Sequence, residues 1–313
     1  MTRRILGYGL LGLALLILPL YLATYSIYII NIIFIYIILA LGLNILIGIA
    51  GQFGLCHVAF MGIGVYTYAL LRIHLDLPFP LAILAGALLA SLVGFIIALP
   101  AIRLSDIYLA LATFSFGEFL QWVFNSWDSV TRGPNGLQIP AARIGSFKFI
   151  SDESVYYLIL IVMILIILLT ISILNSKFGR GFIALRESEP AAKAAGVNVT
   201  VYKALAFAIS AFYAGIAGGL YGVLLPFIHP SSLGFMTTIL ALSMIVVGGM
   251  GSIPGAIIGA CALGVIPELM REFVFLQEMV YGLVLMLFMA VIPNGLYGLF
   301  LRLKSGLAGR SAA

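Results

Sequence analysis

Apolar runs follow one another along this chain with only short polar breaks, and most are close to 20 residues long. That spacing constrains the fold more than any other feature. A hydrocarbon layer about 30 Å thick is crossed by roughly 20 residues of helix, whereas a barrel strand needs about 10 residues of alternating polarity. These runs do not alternate. Of the 313 residues, 63% are hydrophobic and only 9% charged, where a soluble domain carries roughly 25% charged residues. The expected fold class is therefore all-α, a polytopic membrane helix bundle of about ten transmembrane or re-entrant helices forming a single domain over residues 1–313. Its candidate crossings are 5–23, 26–50, 58–73, 80–99, 106–125, 154–174, 204–226, 233–247, 256–267 and 278–301.

A net charge of +5 could suggest nucleic acid, but the charges sit at the ends of apolar runs and form no basic face. They are better explained by topology, and no nucleic-acid partner is expected. Residues 1–23 have the outline of a signal peptide. The apolar run is too long for one and no small-x-small site follows it, so it reads as a retained first helix. With ten crossings, both termini are cytoplasmic, and every Lys and Arg except Arg72, Arg132, Arg143, Lys148 and Arg271 falls on that side, in keeping with the positive-inside bias.

The longest polar stretch on that side is 175–203, NSKFGRGFIALRESEPAAKAAGVNVTVYK. Its middle reads as a short helix outside the membrane. Ser188 can cap it, Glu189 suits its positive end, Pro190 fits the first turn and Gly196 can end it left-handed. Such a helix between two crossings is a handle. The plainer reading is a solvated loop whose charges only fix orientation, and the residues alone leave both open. On the other side, 126–153 is the longest loop, with Trp127 suited to the interfacial belt and a compact Gly133-Pro134-Asn135-Gly136 turn.

Glycines crowd two places. GLNILIGIAGQFGLCHVAFMGIGVY at 42–66 sets Gly48 and Gly51 among Asn44, Gln52 and His57, and 248–255 sets Gly248 and Gly251 between two short apolar stretches. Glycines in lipid let helices approach closely, or break them where protein or water receives the freed backbone groups. Interrupted segments in both halves of a chain point to its centre. Asn44, Gln52 and His57 are therefore either interhelical glue or part of a translocation path. Gly215 and Gly219, with Gly218 and Gly222, smooth one face of 204–226 for packing. Glu118 lies deep in 106–125, where an acid costs on the order of 3 kcal/mol, so it should face the bundle, be paired, or be protonated.

The enzymatic readings fail on spacing. His57, His74 and His229 are far apart in topology, no GxSxG elbow occurs, and no second carboxylate accompanies Glu118. No metal ligand set is spaced for binding, and Cys56 and Cys261 read as small buried side chains rather than a disulfide. The glycines at 248–255 lack the lysine of a phosphate loop.

Four blocks, 42–66, 108–137, 179–219 and 248–259, resemble the LivM-type branched-chain amino-acid permeases of ATP-binding-cassette importers. The second, YLALATFSFGEFLQWVFNSWDSVTRGPNGL, carries Arg132 where that pattern has the first glycine of a pair, and the first carries Gly54 and Cys56 where it has serine and glycine. The resemblance implies a multi-pass permease of the bacterial cytoplasmic (inner) membrane that is not itself an enzyme. It implies that Arg186, Glu187, Glu189, Ala191, Ala192 and Gly196 belong to a coupling loop seated on an ATPase. The implied partners are a second, LivH-like permease, two cytoplasmic ATPase subunits and an extracytoplasmic solute-binding protein. This chain would bind no cofactor, ATP being hydrolysed by the partners. Branched-chain amino acids are the implied substrate, with urea, amides or other amino acids as alternatives. A proton-coupled secondary transporter using Glu118 is the reading from a different class.

Overall fold

The structure, a computed structural model, describes residues 15–101, 103–104, 106–144, 147–148, 151–270, 274–291, 295–299 and 301. Most of the 5–23 run and the 302–313 tail lie outside the described residues, and so does the expected placement of the two termini.

Helix α1 (Thr24–Leu43) runs into a π-helical stretch (Asn44–Ile49), and α2 (His57–His74), α3 (Phe79–Ala101) and α4 (Asp106–Ser126) follow. After a short α5 (Asp128–Thr131) come α6 (Asp152–Asn175), α7 (Lys177–Glu187), α8 (Glu189–Ala194) and α9 (Val199–Leu224). The chain continues through α10 (Phe235–Gly248), α11 (Ile253–Leu263), α12 (Ile266–Leu269) and α13 (Val274–Val291). Among the described residues, six stretches are long and apolar enough to cross a membrane: Thr24–Ile49, Phe79–Pro100, Ile107–Ser126, Asp152–Asn175, Val199–Leu224 and Pro230–Gly248. Apolar side chains all round leave these helices no solvated face, and the lipid forces every backbone group to pair within the helix despite their many β-branched residues.

Burial sorts the helices into a centre and a rim. The apolar window of α1 is 83% buried and that of α9 is 72%, against 17% for α4. Helix α9 packs on α1, α2 and α3, and α1 also meets α6, α10 and α11. The close approach of α2, α3 and α9 depends on glycine. A Cβ on Gly64 of α2 would collide with the backbone of Gly215 on α9, one on Gly86 of α3 would lie 2.7 Å from the Gly64 carbonyl, and one on Gly215 would lie 2.6 Å from Ala87 Cα. Gly219 faces Ile83 of α3.

The loops at 126–151 and 176–198 lie at opposite ends of α6, about 36 Å apart at 1.5 Å per residue. The first departs from the all-helical expectation. Strand β1 (Leu137–Gln138) pairs antiparallel with β4 (Phe227–Ile228), and β2 (Arg143–Ile144) pairs with β3 (Phe147–Lys148). A loop outside the apolar zone must still satisfy its backbone groups, and these short ladders do so. Buried Arg72 ties the loop to α2, donating to the Leu77 and Ala141 carbonyls at 2.8 Å each, while Asp76 bridges Arg72 and Arg143. Arg132 takes a left-handed conformation, φ 58°, at the end of α5, which gives a physical reason for glycine at that place in the family pattern.

Two further expectations need correcting. The expected outer loop at 268–278 is helical in its last part, since α13 covers Val274–Val291 and Glu278, the residue expected at its boundary, falls inside it. Of the cysteines, Cys56 is buried but Cys261 is exposed on α11, and both are free.

Candidate functional site

The two glycine-rich breaks meet. Helix α1 loosens into its π-helical stretch and stops at Ala50; residues 51–56 are non-helical, with Gln52, Gly54 and Cys56 buried, and α2 starts at His57. Thr113 of α4 receives the Leu55 N–H at 3.0 Å, the kind of protein partner that irregular backbone at this depth requires. The second break lies between α10 and α11, where Ser252 caps α11 by accepting the Gly255 N–H at 3.1 Å. Asn44 stitches the two. Its Oδ1 accepts from Gly251 N at 2.8 Å and its Nδ2 donates to Ser252 O at 3.2 Å. Gly51 and Gly251 both have positive φ, 68° and 83°, where a side chain would be strained.

The handle grips this junction. Serines start its helices: Ser176 accepts from Phe178 N at 3.1 Å for α7, and Ser188 from Ala191 N at 3.4 Å for α8. Such caps keep two short helices defined outside the apolar zone. The last turn of α7 carries Arg186, whose Nη1 donates to the Gly48 carbonyl at 2.5 Å. That carbonyl lies at the end of the helix, where intrahelical donors run out and a cation is favoured. Cβ atoms on Gly51 or Gly251 would run into the same arginine, at 3.1 and 2.7 Å. Beside it lies a cleft of about 430 Å³ lined by Ile49, Leu174, Ile183, Arg186, Glu187 and Gly251. A second tie runs from α8 to α9, where Glu189 Oε2 meets Lys203 Nζ at 2.7 Å, the lysine side chain only 7% exposed. Ala192 is buried, Ala191 is exposed, and Gly196 ends α8 at φ 83° with open space around it.

The residues expected to lie together therefore divide into groups. Asn44, Gly48, Gly51, Gly248 and Gly251 gather at the junction with Arg186. Gln52 is buried there too, but turns back on its own segment, donating to Ala50 O at 3.3 Å. His57 is fully buried between three helices: Nε2 faces the Leu39 carbonyl at 2.8 Å and Nδ1 the Ser210 hydroxyl at 2.9 Å. A carbonyl can only accept, so Nε2 carries the proton and Nδ1 accepts from Ser210. Replacing His57 with leucine is expected to cost about 1–3 kcal/mol by leaving buried polar groups unmet, read as a lower thermal midpoint of the detergent-solubilised protein. Glu118 is elsewhere, exposed on α4 beside the start of α10. Sequence reasoning also missed the inward aim of Arg186. Its position in a polar loop signals only topology, and the acceptor it meets lies 138 residues away.

Among the described residues no three His, Cys, Asp or Glu side chains gather as a metal site. Helices that cross a membrane, two breaks stitched together, and an outer segment anchored in the stitch make up a membrane permease. The chain belongs to the family described as branched-chain amino acid transport system / permease component, which it matches over residues 25–292. It is 35% identical over 301 residues to the high-affinity branched-chain amino acid transport system permease protein LivM of Salmonella typhimurium, covering 88% of this chain and 71% of that one. The Escherichia coli LivM is 34% identical over the same shares. LivH of Salmonella typhimurium, a permease protein of the same transport system, is 31% identical over 84% of this chain and 91% of its own length. No solved structure matches the chain.

Proposed function

We propose that this chain is the membrane-spanning permease subunit of an ATP-binding-cassette importer for branched-chain amino acids, and that residues 175–203 are its cytoplasmic coupling loop. In this reading, both termini are cytoplasmic, ten segments cross or re-enter the bilayer, and 126–153 faces the solute-binding protein. A LivH-like permease pairs with this chain, and two ATPase subunits hydrolyse the ATP. The chain binds no cofactor and catalyses no reaction itself. Similarity to both LivM and LivH supports two related permeases in one assembly.

The observation that carries the reading is the Arg186 contact. A loop that only fixed orientation would have no reason to send a guanidinium into the one place where two broken helices meet. ATPase closure would move α8, α7 would move with it, and Arg186 would transmit that motion to Gly48 and, through Asn44, to Gly251. Glu189 and Lys203 would carry the same motion into α9. The exposed residues of the loop, Glu187, Ala191 and Gly196, form the surface offered to the ATPase. Asn44, Gln52, His57 and Glu118 remain the candidates for the path, with the contacts of His57 those of a bolt between helices.

The test is co-purification from membranes. With its own loop, the chain should bring down the ATPase subunits, and with residues 189–196 scrambled it should not, while staying in the membrane at normal abundance. Recovery of equal ATPase with both would sink the coupling reading.

A further inference from the structure

Glu118 lies twelve residues into α4 from Asp106, about 18 Å along the helix axis, which is mid-membrane depth. It is exposed and, among the described residues, meets no cation. A carboxylate turned to hydrocarbon at that depth costs on the order of 3 kcal/mol. A polar or cationic group brought beside it would offset that cost. It lines a narrow, half-open cleft between α4 and the start of α10, whose volume of about 10 Å³ holds no more than one water.

The chemistry of the cleft is lopsided. Gln121 donates through Nε2 to the Pro230 carbonyl at 2.9 Å, which fixes its amide and leaves Oε1 buried without a donor. Glu118 and Gln121 thus present acceptors, Thr238 adds a hydroxyl, and no Lys or Arg lines the space. The rest of the wall is apolar and includes Leu55, Phe114 and Phe235, the two rings 4.9 Å apart. Paired acceptors beside an apolar wall complement a group that carries several donors and a positive charge on an aliphatic body.

We propose that this cleft is a transit subsite for the substrate's ammonium group, in which Glu118 and Gln121 Oε1 receive its N–H donors and the apolar wall receives an aliphatic side chain. This rests on the amino-acid importer reading above. The subsite discriminates by charge: an aliphatic acid without the ammonium would set a second carboxylate against Glu118. In this conformation the enclosed part is no larger than a water, so the cleft must widen as the substrate passes, as a transit site should.

The experiment uses the complete transporter in proteoliposomes, with ATP inside, no proton gradient, and leucine delivered by the binding protein. Glu118→Gln should lower uptake at least tenfold at unchanged yield of the assembled complex, and Glu118→Asp should restore part of it. The neighbouring Phe119→Leu should transport normally. A photoreactive leucine should label the peptide carrying Phe114–Gln121 in the wild type and lose that labelling in Glu118→Gln. Wild-type uptake by Glu118→Gln would overturn the subsite, and so would loss of the assembled complex, which would make Glu118 an interface residue. Should the wild type itself take up no leucine with ATP, the importer reading has failed instead, a result distinct from either.

Discussion

Arg186→Ala is expected to cut ATP-driven uptake about tenfold or more while the protein still inserts and accumulates. The arginine holds the Gly48 carbonyl at 2.5 Å from a helix outside the apolar zone. A hydrogen bond from a charged donor contributes about 1.5–3 kcal/mol and a cation at a helix C-terminus about 0.3–1 kcal/mol. Because Arg186 is exposed, solvent screening holds its contribution to the low end of that range, about 1.5 kcal/mol, and 1.36 kcal/mol is a factor of ten. The loss should appear as ATP hydrolysis that no longer moves substrate, since the ATPase would still dock on α8. Arg186→Lys should recover part of the uptake, because an ammonium can reach one carbonyl but lacks the rigid fork. A proportionate fall in both hydrolysis and uptake would show that Arg186 contacts the ATPase instead of transmitting its motion.

Gly64→Leu should have the larger effect on the protein itself, removing most folded material. Overpacking a core costs typically 1–3 kcal/mol, and here the added side chain meets the Gly215 backbone, not a side chain that could turn away. A cost of about 3 kcal/mol or more would separate α2 from α9, which pack closely on each other at the centre of the bundle. Gly282→Ala is the control, since nothing lies within 4 Å of a Cβ there and alanine favours the helix. Size-exclusion profiles and thermal midpoints of the tagged variants check both. A monodisperse Gly64→Leu protein with an unchanged midpoint would refute the close-packing account.

The membrane class and the existence of both breaks were legible because each is a local property of the chain. Length and apolarity dictate a crossing, and glycine density marks a break wherever it occurs. The short helix at Glu189–Ala194 was legible for the same reason, since Ser188, Pro190 and Gly196 act on their immediate neighbours. The short strands at 137–148 were not, because a two-residue ladder carries no period of its own; β1 is set by the distant segment at 227–228, and β2 and β3 by each other.

What the sequence determined by itself is that this chain lives in a bilayer as helices, with a polar handle and two weak points. Only the tertiary structure decided that Arg186, Asn44 and Gly251 meet, that His57 bolts α2 to α1 and α9, and that Glu118 looks outward. Those facts depend on which faces of distant helices come together. In lipid every helix is apolar nearly all round, so the hydrophobic pattern that would orient a soluble helix is absent, and orientation is left to glycine contacts and a few polar side chains whose partners lie more than a hundred residues away.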